Sequence, residues 1–211
     1  LRYELLAQAL VAAGYAVYAD DHRGHGQTGV EYWKGDLSQI GKLGVGGLRA
    51  TQQNLLDLTR IAQEENPGLP FVMLGHSWGS LMVQNLLNAG PHPWSAVVLT
   101  GTAFRTPFDM NGGDLNARHK HLGDTGAEWL SRDPAVARAF VDDPLTTDAK
   151  VLQLFGVADG LRLFGRPKRV QPPVPLLIMV GDDDPLGGEA SAKKLADAYL
   201  RRGGLTDVEL I

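Results

Sequence analysis

The sequence predicts an α/β fold with a mostly parallel, doubly wound sheet, and three observations carry that expectation. Short continuous apolar runs at 71–74, 96–99 and 176–180 have the pattern of strands buried on both faces. Segments of helical period stand beside them at 45–65, 80–89 and 190–202. The two kinds of segment alternate along the chain, as strand–helix–strand units do.

Leu5, Leu6, Ala9, Leu10 and Ala13 recur at helical spacing, and Gly14 is placed to end that helix. Residues 15–19 then read as a strand that runs into a polar, glycine-rich turn, Asp20-Asp21-His22-Arg23-Gly24-His25-Gly26. Leu48, Thr51, Leu55, Leu58 and Ala62 define one face of the long helix, which Asn66-Pro67-Gly68 stops. The helix over 80–89 closes at Gly90-Pro91. Pro172-Pro173 leads into the strand at 176–180, Gly181 ends it, and Val208-Glu209-Leu210 begins a last strand.

The alternation breaks between about 101 and 171. Asp133-Pro134 reads as an N-cap and first-turn pair opening a helix through 141, and Val151, Leu154, Phe155 and Ala158 suggest another. We read this stretch as a helical cap inserted between two sheet strands, within a single domain over 1–211. The chain opens on Leu1 in helical pattern and closes on Ile211 in strand pattern, so that domain is expected to be truncated at both ends.

Composition narrows the function classes. Against 24 acidic residues there are 20 Lys and Arg, a net charge of −4, so no basic footprint for nucleic acid is present. With no cysteine, neither a disulfide nor a thiol enters the chemistry. No apolar run approaches the roughly 20 residues of a membrane span. A cytoplasmic protein is the expectation; the oligomeric state is left open.

The strongest motif is Gly75-His76-Ser77-Trp78-Gly79, a G-x-S-x-G sequence directly after an apolar strand and directly before a helix. A chain that turns so sharply forces strained backbone angles on Ser77, and Gly75 and Gly79 are expected to leave room for it. The hydroxyl is lifted above the sheet beside a helix N-terminus, which favours developing negative charge. The Trp78 N–H is positioned to donate to an oxyanion. His76 is expected to point elsewhere.

Where such a turn carries a triad, the chain order is nucleophile, acid, histidine. The acid should follow a later strand, and Gly181-Asp182-Asp183-Asp184-Pro185 does. Three aspartates compete. Asp184 is preferred because Pro185 biases it toward an extended backbone, and a carboxylate there would orient a histidine and stabilise its cation. All six histidines precede it. His22 and His25 read as loop-structural residues, and His119 and His121 as surface residues of the cap.

These residues resemble a known family. The segment Gly14 to Gly26, the elbow at 75–80 and the acid loop at 181–185 are similar to the matching motifs of monoacylglycerol lipase and lysophospholipase-like α/β-hydrolases, the serine aminopeptidase S33-type branch. The resemblance covers nearly the whole chain, least closely in the cap. It implies the α/β-hydrolase fold and a serine hydrolase that cleaves esters through an acyl-enzyme without a cofactor or metal. Ser77 would be the nucleophile, Asp184 the acid and Trp78 an oxyanion-hole donor, with Gly75, His76 and Gly79 supporting the motif. A second oxyanion donor would precede Leu1 and the catalytic histidine would follow Ile211.

The expected partner is a small ester or lipid, a monoacylglycerol or a lysophospholipid-like molecule. Phe104, Phe108, Met110, Trp129, Phe140, Leu152, Leu154, Phe155, Leu161, Leu163 and Phe164 could line an acyl pocket, though plain packing of the cap suits most of them. Arg162, Arg166, Lys168 and Arg169 could make transient contact with an anionic membrane surface, with a solvated loop as the plainer reading. Rival functions are a small-ester carboxylesterase, an aminopeptidase, and a non-catalytic binding protein on the same fold.

Overall fold

The computed structural model describes residues 3–147 and 151–211. Three helices, α1 (Glu4–Ala12), α2 (Gly26–Tyr32) and α3 (Gly47–Glu65), come first. Strand β1 (Val72–His76), helix α4 (Trp78–Ala89) and strand β2 (Ala96–Thr100) follow. The segment after β2 carries α5 (Pro134–Asp142) and α6 (Val151–Arg162) and returns to β3 (Leu176–Met179). Helix α7 (Gly188–Ala198) then leads to β4 (Val208–Leu210). The four strands lie side by side in chain order, every pair parallel. Parallel neighbours need long crossovers, and α4, the cap segment and α7 supply them.

The register explains the core. Val97 pairs with Leu176 and Leu99 with Ile178, so the inward residues of the two central strands stand side by side. All four are buried, together with Leu81, Met82 and Leu87 of α4 and Leu195 of α7. Each contributes about 2 kcal/mol of transfer free energy, which is why this sheet-and-helix layer, rather than the cap, anchors the chain.

The start of α3 has an acid from far along the chain. Its N-cap position is Gly46, which has no side chain to offer. Asp159 of α6 instead accepts from the Leu48 amide at 2.9 Å and pairs with Arg162. A carboxylate at a helix N-terminus satisfies orphan amides and suits the helix dipole, so this bond docks the cap on α3. A second tie is Arg105, almost wholly buried. Its guanidinium donates to Gln84 Oε1 at 2.9 Å, to the Leu163 carbonyl at 2.8 Å and to Asn85 Oδ1. Burial pulls its pKa down to about 10.

The expected elements are largely found, with shifted ends. The cap helix opens as expected, Asp133 accepting from the Ala135 amide at 2.9 Å with Pro134 in the first turn. The helix expected to reach 202 stops at Ala198 and loosens into a π-turn, Tyr199–Gly203. Residues 15–19 are not a strand. A strand persists only as one side of a ladder, and among the described residues none pairs with this segment. The Tyr18 hydroxyl instead donates to Glu65 Oε2 at 2.5 Å and accepts from Asn66 Nδ2 at 2.8 Å, at the end of α3.

The apolar residues of the cap divide. Met110 and Leu163 are buried in the core, Phe155 packs partly buried against it, and Phe108 is 97% exposed. The side chain of Leu152 lies outside the described residues.

Candidate active site

Ser77 stands between the last residue of β1 and the first of α4, at φ 51° and ψ −124°. A serine at a helix N-cap ordinarily turns its hydroxyl back onto the helix amides. Here it makes no capping bond, because the left-handed backbone swings Oγ away. The turn is held by backbone bonds. The Ser77 amide donates to the Thr100 carbonyl at 2.9 Å, and the Ser77 carbonyl accepts from the Ser80 amide at 2.9 Å. Trp78 and Gly79 open α4, so their amides have no partner within the helix.

Gly75 behaves as the motif requires. A Cβ there would stand 2.9 Å from the Gly79 carbonyl oxygen, Ser80 Cα and Val83 Cγ2. Gly79 departs from expectation: the nearest atom to a Cβ at that position is His22 Nε2, at an ordinary 3.9 Å. The close approach of strand and helix falls on the strand side of the turn only.

Trp78 is a packing hub. Its ring meets Phe155 at 4.7 Å, His25 at 5.2 Å and His22 edge-on at 5.3 Å between centroids. His22 Nδ1 lies 3.2 Å from Asp20 Oδ2, and His25 Nδ1 lies 2.9 Å from the Arg23 carbonyl. The glycine-rich turn therefore buttresses the elbow, in line with the loop-structural reading of both histidines.

Ser77 and Asp184 line one cavity of about 1270 Å³, roofed by the cap around Leu115, Trp129 and Ala135. The structure separates the three aspartates. Asp182 is exposed and paired with Arg132 at 2.6 Å. Asp183 is paired with His119 at 3.0 Å and Arg118 at 3.2 Å. Asp184 is half-buried, and its Oδ1 accepts from the Leu186 amide at 2.7 Å. Burial raises its pKa, opposed in part by the Leu186 and Gly187 amides and by His76.

Two histidines sit differently from expectation. His76 lines the same cavity and its charge bears on Asp184. Its Nδ1 lies 2.8 Å from Thr100 Oγ1, which turns the ring along the end of β2. His119, expected at the surface, is 4% exposed and faces Asp183. A single sequence gives no sign of this, since the bond joins residues 64 apart. His121 is exposed at the rim. Among the described residues no cluster of His, Cys, Asp and Glu could hold a metal ion.

Known proteins resemble this chain over most of its length. Residues 1–207 match the profile of the serine aminopeptidase S33 family. The chain is 34% identical to a monoacylglycerol lipase of Mycolicibacterium smegmatis, over 93% of this chain and 70% of that protein. It is 29% identical to human monoglyceride lipase, over 88% of this chain and 61% of that protein. It therefore spans less than two thirds of the human relative's length. Among solved structures, a carboxyl esterase from Bacillus coagulans in complex with glycerol aligns with a TM-score of 0.74 at 22% identity, over the whole of this chain and 76% of that one. A monoacylglycerol lipase from Paleococcus ferrophilus aligns with a TM-score of 0.66 at 24% identity, over the whole of this chain and 77% of that one. The chain has the α/β-hydrolase fold and belongs to the serine aminopeptidase S33 family, on its monoacylglycerol lipase-like branch.

Proposed function

We propose that this chain carries the nucleophile and the acid of a serine hydrolase that cleaves carboxylic esters, with monoacylglycerols or lysophospholipid-like lipids as substrates. The observation that carries the reading is the backbone of Ser77. A non-glycine residue at positive φ costs about 1–3 kcal/mol, and here the strain frees a hydroxyl from helix capping and lets it face a cavity it shares with Asp184.

In this mechanism Ser77 Oγ attacks the ester carbonyl while a histidine takes its proton. Asp184 holds that histidine in the correct tautomer and stabilises its cation. That histidine is the third member of the triad that the resemblance implies. The Trp78 amide, at the positive end of α4, donates to the oxyanion. The histidine then protonates the leaving alcohol, and water repeats the cycle on the acyl-enzyme. The names of the relatives favour a lipid ester over the aminoacyl amide that the family's name suggests.

The test treats the intact protein with a fluorophosphonate probe and then compares turnover of monoacylglycerols of graded chain length, short esters and aminoacyl amides. One stoichiometric adduct at Ser77 with preference for long acyl chains supports the reading. Turnover of amides alone would make the protein a peptidase. No adduct and no turnover would leave a binding protein on a hydrolase fold.

A further inference from the structure

We infer that His119 is a positioning residue, a hook from the cap that sets the acid loop so that Asp184 meets the triad histidine. The inference rests on the proposed ester hydrolysis and extends it to a residue outside the three motifs.

The acid loop is a tight turn. The Asp184 amide donates to the Gly181 carbonyl at 3.2 Å, so Asp182 and Asp183 are the two central residues of that turn. Three adjacent carboxylates in one turn disfavour one another's charged forms. The cap holds both central residues from outside. Arg132 takes Asp182, and both partners of that pair are 77% exposed, so the pair alone is weak. The Asp183 bond differs on one side: the carboxylate is 55% exposed and also takes Arg118, but the His119 side chain that meets it is only 5% exposed.

The support of His119 can be followed residue by residue. The His119 amide donates to the Asn116 carbonyl at 2.9 Å. The Asn116 side chain is buried, donating to Glu128 Oε2 at 2.7 Å and accepting from the Trp129 amide at 3.0 Å. Glu128 also accepts from the amide and hydroxyl of Thr125, each at 2.6 Å. These bonds, the Thr125 hydroxyl foremost, hold its pKa down to about 2. Asn116 and Glu128, at the base of the hook, are therefore satisfied inside the cap, while His119 Nδ1 has no hydrogen-bond partner among the described residues. An ionised Asp183 only accepts, so Nε2 of His119 carries the hydrogen and donates. With both turn centres drawn toward the cap, Asp184 is left as the loop's carboxylate beside His76 and Gly101, in the cavity that Ser77 also lines.

The geometry distinguishes two conservative replacements. Glutamine extends an amide N–H to about the position of Nε2; asparagine falls short of it. In the intact protein, H119A is expected to lower kcat on a monoacylglycerol by about tenfold or more with KM within about threefold, since a misplaced acid weakens the transition state and not substrate binding. H119Q should recover most of the loss and H119N little of it. Amide hydrogen exchange gives a readout free of activity: the Leu186 amide, held by Asp184 Oδ1, should exchange about tenfold faster in H119A, while the Ser80 amide of the elbow is unchanged.

Equal impairment of H119A and H119Q, a loss confined to KM, or unchanged exchange at Leu186 would each overturn the hook. If the wild-type protein takes no fluorophosphonate at Ser77, the esterase reading fails, and the exchange measurement then decides the hook alone.

Discussion

The amide of Ser77 donates to the carbonyl of Thr100 at 2.9 Å, so the strained turn after β1 is bonded to the end of β2. The sheet holds the serine in a conformation it would otherwise leave. Replacing Ser77 with glycine should relieve that strain, and with alanine should not. Urea unfolding is expected to find S77G more stable than S77A by about 1 kcal/mol, after the entropic cost of glycine. Both variants should lose about six orders of magnitude in kcat, as removal of a triad serine does. Equal stability of the two would mean the backbone at 77 is relaxed.

The two glycines of the motif should respond in opposite ways. At Gly75 a methyl group meets two backbone atoms and the Val83 side chain at 2.9 Å, so G75A should destabilise the fold by about 1–3 kcal/mol. At Gly79 a methyl group finds room, and the residue lies in the first turn of α4. There G79A should be neutral or stabilising by up to about 1 kcal/mol, the helix-propensity difference. Thermal unfolding of the two variants side by side checks both signs.

The contrast shows what the sequence could express. Buried parallel strands and the elbow announce themselves because apolar runs and G-x-S-x-G are local signals, and the residues from Phe71 to Ala89 carry both. The sequence separates Asp184 from Asp182 and Asp183 only through the proline beside it. In the structure the separation comes from Arg132, Arg118 and His119, cap residues far along the chain. From sequence His119 reads as a surface residue, because its burial depends on tertiary packing, which no spacing encodes. Residues 15–19 have strand propensity, yet pairing is a property of two segments, and propensity reports on one.

Arg105 illustrates a buried charge that the fold uses as a connector. Its guanidinium satisfies Gln84, Asn85 and the Leu163 carbonyl at once, joining α4 to both ends of the cap. Alanine there would leave buried acceptors without donors, at about 1–3 kcal/mol each. We expect R105A to lose about 3 kcal/mol or more in urea unfolding. R105K should recover little, since an ammonium cannot span three acceptors set out for a planar fork. Full recovery by lysine would mean that charge alone, and not the fork, matters at this position.

Asp184 should trade stability for activity. Burial raises its pKa in the folded protein, so folding favours the protonated form. The sign follows from linkage: the folded state binds this proton more tightly than the unfolded state, and stability falls as pH rises through the raised folded pKa. At neutral pH the buried carboxylate therefore costs stability, and D184N removes that cost. The variant should melt higher than the wild type at pH 7. The difference should shrink as pH is lowered past the carboxyl's folded pKa, where both side chains are neutral. Activity should move the other way, by about four orders of magnitude, because an amide in the acid's place favours the wrong histidine tautomer. Melting curves at several pH values, paired with kcat, test both halves. A D184N protein less stable than the wild type at pH 7 would mean that a cation close to Asp184 outweighs its burial, as a protonated triad histidine would.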